Sequence, residues 1–249
     1  MRHELILILD FGSQYTQLIA RRLRELGVKT TIERGDLPTA GIRAADPIAL
    51  VLSGGPSSVF EEGALQVDPE IFNLGVPVLG ICYGMQLMAR DLGGLVESSD
   101  QREYGLAELE VVSDTSILKG TPSRQTVWMS HGDHVTRVPE GFEVLGRTGN
   151  SPVAAMADPR RRLIALQFHP EVRHTPNGTT MLESFIEIAG ARRDWNPAAI
   201  RHELVDRLRE SIPQGRVICG VSGGVDSSVT GCRRSSSTPG CCARMRATP

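Results

Sequence analysis

Residues 77–94 read PVLGICYGMQLMARDLGG, and the order of residue types within them decides the fold. "PVLGIC" is a short apolar run with the character of a buried strand. "YGMQLMARDLGG" carries Met85, Met88, Ala89 and Leu92 on one side and closes on a glycine pair, so it reads as a helix. Cys82 stands at the junction, with Gly80 and Gly84 to either side. A strand that passes into a helix through a nucleophilic residue flanked by small ones has the layout of a nucleophile elbow. The tight turn exposes the side chain. The helix N-terminus favours thiolate over thiol, lowering a pKa that is about 8.5 in a free cysteine. Set against this is a buried, inert cysteine in a glycine-rich turn.

Upstream, the same alternation repeats. "LILIL" (5–9) is a buried strand. "FGSQYTQLIARRLRELG" (11–27) is an amphipathic helix with Leu18, Ile19, Leu23 and Leu26 at helical spacing and Gly27 as its stop. "VKTTIER" (28–34) and "PIALVLSGGP" (47–56) are two more strands. Short apolar strands separated by helices imply a parallel sheet covered on both faces. From 105 to 170 the text changes to strand-like runs joined by turn chemistry: "LAELEVV", "TVWMS", "FEVLGRT", "PVAAMAD" and "RLIALQF". "DPRRRL" between the last two reads as a hairpin tip whose arginines are solvated. The expectation is an α/β fold with a central, mostly parallel sheet, helices on both faces and a β-rich second half. "TTMLESFIEIAGA" (179–191) closes this unit as a helix. "NPAAIRHELVDRLRESIPQG" follows as another, capped by Asn196, with Pro197 in its first turn and Ile200, Leu204 and Leu208 as an apolar stripe. "RVICGV" is a strand leading into "SGGVDSS" (222–228).

The chain has 249 residues, 40% hydrophobic and 22% charged, with a formal net charge of −2. That composition is ordinary for a globular protein and offers no basic field for nucleic acid or anionic lipid. "LILIL" is too short for a signal peptide core or a membrane span, so a cytoplasmic protein without nucleic-acid or membrane partners is expected. The five cysteines, Cys82, Cys219, Cys232, Cys241 and Cys242, do not have the spacing of a disulfide framework. Those in the tail lack histidine partners or a C-x-x-C pair, so no metal site is expected.

Two other strand ends carry suitable groups. "QFHPEV" places His169 and Glu171 two positions apart, and Pro170 biases His169 toward extended backbone, so both side chains can point the same way. A carboxylate beside an imidazole fixes its tautomer and stabilises its charged form. In "LSGGPSS", Gly54 and Gly55 can present a backbone N–H to an oxyanion. A surface turn is the plainer reading of either stretch alone. In parallel α/β sheets, however, the strand carboxyl ends share one edge, where ligands bind.

"SGGP", "GICYGMQ" and "FHPEV", in this order, resemble the class I glutamine amidotransferase family. The resemblance implies that fold and a Cys82–His169–Glu171 triad acting on L-glutamine. Cys82 would attack the side-chain amide and form a thioester. The N–H groups of Gly55 and Tyr83 would hold the oxyanion. His169, oriented by Glu171, would protonate the leaving ammonia and then activate water. Gln86 and the "SHGD" loop, through Ser130 and Asp133, would hold the glutamine.

"ILDFGSQYTQLIARRLRE" and "MSHGDHV" are similar to the glutamine-hydrolysing GMP synthase family, and "SGGVDSS" resembles the pyrophosphate loop of ATP pyrophosphatases. That loop implies a phosphate site at Ser222, Gly223, Gly224, Asp226, Ser227 and Ser228, formed by backbone N–H groups and hydroxyls at a helix N-terminus. The resemblance implies amination of XMP to GMP with ATP and Mg²⁺, no cofactor for glutamine hydrolysis itself, and a homodimer. It further implies that the synthetase half gates the glutaminase.

Expected domains are a glutaminase at 1–195, a linker helix at 196–212, the start of an ATP pyrophosphatase domain at 213–229, and an aberrant, disordered tail at 230–249. That tail, "TGCRRSSSTPGCCARMRATP", has four arginines, no acidic residue and no strand or helix period. It reads as translation in a wrong frame or a truncated gene. The dimerisation region would then be absent and the ATP site vestigial. Two other functions fit the same scaffold: a non-catalytic subunit docking on a separate synthetase chain, and a cysteine hydrolase of γ-glutamyl peptides.

Overall fold

Leu5–Asp10 forms β1, an interior strand next to the sheet's edge, and its alternating side chains go to opposite faces. Ile6 and Ile8 enter one apolar core, Leu7 and Leu9 the other. The structure, a computed structural model, describes residues 3–212, 217–220 and 242–245. The other elements of the first unit follow in chain order: α1 (Thr16–Glu25), β2 (Lys29–Arg34), α2 (Thr39–Ala45), β3 (Ala49–Leu52), β4 (Val78–Ile81) and α3 (Tyr83–Asp91). Then come β5 (Leu95–Val111), β6 (Arg124–Arg137), β7 (Glu143–Arg147), β8 (Ala155–Asp158), β9 (Leu163–Leu166) and α4 (Gly178–Ala189).

The nine strands form one sheet in the order β2-β1-β3-β4-β9-β8-β7-β5-β6. Pairing is parallel from β2 through β9, and antiparallel from β9 through β6. The expected β-rich second half is therefore an antiparallel extension of the same sheet. β9 belongs to both halves: it pairs parallel with β4 and antiparallel with β8. That double pairing places the chain after β9 beside the chain after β4.

Ile19, Ala20 and Leu23 of α1 and Met181, Leu182, Phe185 and Ile186 of α4 pack into the core that holds Ile6 and Ile8. Ile42 of α2 and Met85, Leu87, Met88 and Ala89 of α3 pack into the core that holds Leu7 and Leu9. Helices thus cover both faces. α3 is buried from Tyr83 through Ala89, more deeply than a one-sided stripe implies. The hairpin tip falls between β8 and β9, where Asp158 accepts from the N–H groups of Arg160 and Arg161.

Four features depart from the sequence reading. α2 carries Gly41 and only one buried residue, Ile42, so it leaves no periodic trace. A 3-10 turn at Pro69–Asn73 starts on the Asp68 cap, whose side chain accepts from Glu70 N–H. β5 begins eleven residues earlier than expected, at Leu95 against Leu106, across a polar stretch without alternation. Pairing with β6 holds it, with an irregularity between Ser98 and Glu103. Ser130–Asp133, expected as a loop, lies inside β6.

The two ends of the unit are tied together. His3 Nδ1 lies 2.9 Å from Asp194 Oδ1, Arg192 N–H donates to Glu4, and Trp195 N–H donates to Gly27 O. The unit extends to Asn196.

A second unit begins at Pro197 with α5 (Pro197–Ser211), of which no residue is buried; Leu204 and Leu208 of the predicted stripe stand exposed. β10 (Val217–Gly220) pairs antiparallel with β11 (Cys242–Met245). The sequence reading gives the tail no strand; the structure has one there, paired with the expected strand at 217–220. Ser222, Gly223, Gly224, Asp226, Ser227 and Ser228, and what is expected of residues 213–216, 221–241 and 246–249, lie outside the described residues.

Candidate active site

Cys82 is the N-cap of α3 and has φ 52° and ψ −104°. A side chain in that region of backbone space is strained, and strain of this kind collects at functional sites. The glycines around it allow the close turn. A β-carbon on Gly84 would lie 2.5 Å from Leu52 O, and one on Gly80 2.7 Å from Gly84 O. The sequence therefore dictates the elbow: no larger residue fits at either flank. Cys82 is 4% exposed and opens on a cavity of about 560 Å³.

β9 runs parallel beside β4, so the segment after it passes next to the elbow. His169 is anchored there at both backbone groups. Its N–H donates to Trp128 O at 3.0 Å, and its carbonyl accepts from Thr175 Oγ1 at 2.7 Å. Thr175 Oγ1 in turn accepts from Trp128 N–H. The ring's Nδ1 is 2.7 Å from Glu171 Oε1, which leaves Nε2 for the Cys82 side. Both side chains are nearly or wholly buried, at 3% and 0% exposed, so the pair is shielded from water. Burial opposes charge on the ring. The Glu171 carboxylate and the Cys82 sulfur outweigh it and raise the imidazole well above its ordinary value. Gly54 separates the partners: a β-carbon there would stand 3.1 Å from His169 Cε1 and 3.6 Å from Cys82 Cβ.

Gly55 lines the cavity, and no acceptor takes its N–H among the described residues. Tyr83 is the first residue of α3, so its N–H has no partner within the helix. The two are neighbours, since a β-carbon on Gly55 would be 3.2 Å from Tyr83 Cγ. Gln86, Ser130 and Asp133 also line the cavity. Gln86 is tied to β6, its Nε2 donating to Asp133 O at 2.7 Å. Asp133 Oδ2 accepts from Ser58 Oγ, and the Ser130 carbonyl lies 3.5 Å from Cys82 Sγ. All eight residues expected in the glutaminase site are thus gathered at one edge of the sheet. Ser130 meets the cysteine through its backbone, as a strand residue does.

Other contributors left little trace in the sequence. The ring of Tyr15, in the turn before α1, stands edge-on to His169 with centroids 5.0 Å apart. Gln167 is wholly buried, with Nε2 3.8 Å from Cys82 Sγ. Arg22 Nε donates to Glu171 O. The bulged part of β5 is fixed by Glu103, which accepts from Thr148 and Ser151 and lies 3.4 Å from His131 Nε2. Burial works against the Glu103 carboxylate, but the bonds from His131, Ser151 and Thr148 prevail and lower its pKa. Tyr104, beside Glu103, reaches the cavity wall. The spacing of "QFH" offered a signal for Gln167, two positions before His169; the others depend on tertiary contact.

Residues 7–189 match the family described as Glutamine amidotransferase class-I. The chain is 51% identical over 229 residues to the GMP synthase [glutamine-hydrolyzing] of Lactococcus lactis subsp. cremoris, covering 92% of this chain and 45% of the relative. It is 51% identical over 233 residues to the protein of the same name from Maridesulfovibrio salexigens, again covering 92% and 45%. It thus spans less than half the length of these curated relatives. Among solved structures, a Thermoplasma acidophilum protein assigned as one subunit of GMP synthase superposes with a TM-score of 0.69 at 31% identity, covering 82% of this chain and 99% of that one. The elbow, the buried His–Glu pair and these matches agree: the chain belongs to the class I glutamine amidotransferase family.

Proposed function

We propose that this chain hydrolyses the side-chain amide of L-glutamine to glutamate and ammonia, as the glutaminase part of a GMP synthase. The observation that carries the reading is the line Cys82–His169–Glu171, in which an elbow cysteine faces an imidazole whose far nitrogen is held at 2.7 Å by a buried carboxylate. His169 takes the Cys82 proton, and the thiolate attacks the amide carbon. The developing oxyanion receives the N–H groups of Gly55 and Tyr83. His169 returns the proton to the departing nitrogen, releasing ammonia and leaving a thioester. Water then enters, gives a proton to His169 and attacks the thioester, and Cys82 leaves as thiolate with glutamate as the acid product. Gln86, Ser130 and Asp133 bind the substrate. Hydrolysis needs neither metal nor cofactor. Asp133 supplies the negative charge in the cavity that suits the substrate's α-ammonium group.

The ammonia serves amination of XMP to GMP, with ATP and Mg²⁺ used by a synthetase half; the relatives' names and shared sequence support this reading. Residues 222–228, which would hold the ATP phosphates, lie outside the described residues. The family's homodimer belongs to the same proposal. A cytoplasmic setting is consistent with it: among the described residues no helix is long and apolar enough to cross a membrane.

The test is ammonia release from glutamine by this chain, with Cys82→Ala as control. Release that the variant loses supports the proposal. Release that survives in the variant, or selective cleavage of γ-glutamyl peptides over free glutamine, refutes it.

A further inference from the structure

Gln167 occupies an expensive position. It is wholly buried, and its Oε1 has no hydrogen-bond partner among the described residues. Its backbone N–H is already used, donating to Ala154 O at 2.9 Å. Among the described residues its carboxamide has one partner, the sulfur of Cys82, 3.8 Å from Nε2. A buried amide kept with half its capacity unmet calls for an explanation other than packing, because an apolar side chain of the same length would fill the space without the desolvation penalty.

The sulfur has two kinds of neighbour. The Ser130 carbonyl, at 3.5 Å, is an acceptor and can engage only the protonated thiol. The Gln167 amide is a donor. It interacts weakly with a neutral thiol and more strongly with a thiolate, since charge on the acceptor strengthens a hydrogen bond. We propose that Gln167 is a further catalytic residue, which donates Nε2–H to the Cys82 thiolate and stabilises it both as nucleophile and as leaving group. This inference rests on the glutaminase reading for its place in the reaction.

The cycle gives the donor two uses. The thiolate that attacks the amide is charged, and Gln167 supports it after the proton has gone to His169. In the thioester the sulfur is neutral and the bond weakens. When water attacks and the sulfur departs, charge returns to it and the same N–H receives it. Gln167 and His169 are two positions apart, so one short segment after β9 supplies both the proton acceptor and the donor to sulfur.

Several titratable groups also face the cavity: His169 with Glu171 behind it, His131 and Asp133 from β6, Tyr15 from the turn before α1, and Tyr104 from β5. All of them remain when Gln167 is replaced, so comparison of wild type with Gln167→Met isolates the amide. The measurement is the rate of Cys82 alkylation by iodoacetamide against pH, followed on the Cys82 peptide by mass spectrometry. Methionine matches the length and removes the donor. The expected result is a rate at neutral pH about fivefold lower, with the profile displaced upward by the corresponding ~0.7 unit. Superimposable profiles would overturn the proposal, even if ammonia release had fallen, because a packing role changes turnover without moving the thiol. Should Gln167→Met fail to fold, nitrogen-15 spectra of the wild type carry the same test. The Gln167 side-chain amide resonances should shift as Cys82 titrates and stay fixed in Cys82→Ala; fixed resonances in the wild type would reject the bond. Alkylation does not use glutamine, so a chain that releases no ammonia but shows the displaced profile would separate failure of the substrate reading from failure of this one.

Discussion

Gly178 stands with its α-carbon against the carbonyl of Pro170, so close that a β-carbon there would lie 1.8 Å from the oxygen. Gly178 opens α4, and Pro170 sits between His169 and Glu171. The helix start and the His169–Glu171 segment therefore share one space that admits no side chain. Gly178→Ala should destabilise the unit by about 3 kcal/mol, the upper part of the range for overpacking. It should also depress ammonia release by displacing His169. Urea unfolding and a steady-state assay check both, and an unchanged midpoint would show that the helix yields freely.

The backbone of Cys82 gives a second expectation. At φ 52° glycine is favoured over any residue with a β-carbon. Cys82→Gly and Cys82→Ala should both be inactive, but the glycine variant should be the more stable by about 1 kcal/mol, reversing the usual order of these residues near a helix. Thermal unfolding of the pair decides it; alanine at or above glycine would mean that the turn relaxes once sulfur is removed.

Glu171→Gln tests the electrostatics of His169. Burial alone lowers the imidazole pKa, and the carboxylate is the chief counterweight. Without it only the Cys82 sulfur opposes burial, and the ring should titrate well below the raised wild-type value. In the wild type the folded-state pKa is raised. The ring's contribution to stability is therefore fully present below the unfolded value and lost as pH rises through the folded one. The stability gap between wild type and variant should accordingly be widest on the acid side of 6.5 and narrow as pH climbs past the raised value. Unfolding at a series of pH values, with imidazole resonances as the direct readout, measures this. A gap that widens with pH would contradict the account.

Much of this was legible in the sequence of the chain. The strand–helix alternation and the Gly80–Gly84 spacing, where a β-carbon on Gly80 would meet Gly84 O, make the elbow readable from sequence; the clash with Leu52 O of β3 that excludes a side chain at Gly84 is tertiary. His169 and Glu171 are two apart, and their pairing follows from local geometry. The early part of β5 was not legible. Residues 95–104 are mostly polar and lack alternation, and the contacts that hold Glu103 come from Thr148 and Ser151, more than forty positions away. His131–Asp133 read as loop because "SHGD" carries turn chemistry; pairing with Glu103 and Ser98 of β5 overrides it. Tyr15 reaches His169 only because β1 and β9 share a sheet.

Asp133 is the residue through which substrate affinity should be adjustable. It lines the cavity, accepts from Ser58 and offers its carbonyl to Gln86. Asp133→Asn should raise KM for glutamine by about tenfold and change kcat by less than about twofold, the pattern of lost ground-state binding. A fall in kcat at constant KM would place Asp133 in the chemistry instead.

The knot of contacts joining residues 3 and 4 to residues 192–195 has a consequence for the topology of the chain. Because the unit's beginning and end are already held together, its continuity between them is dispensable. A circular permutant that joins Asn196 to His3 by a short linker and opens the backbone in the turn after Asp158 would preserve every strand neighbour and both halves of the site. In such a molecule Cys82 would follow His169 and Glu171 in the sequence, with the geometry of the three unaltered.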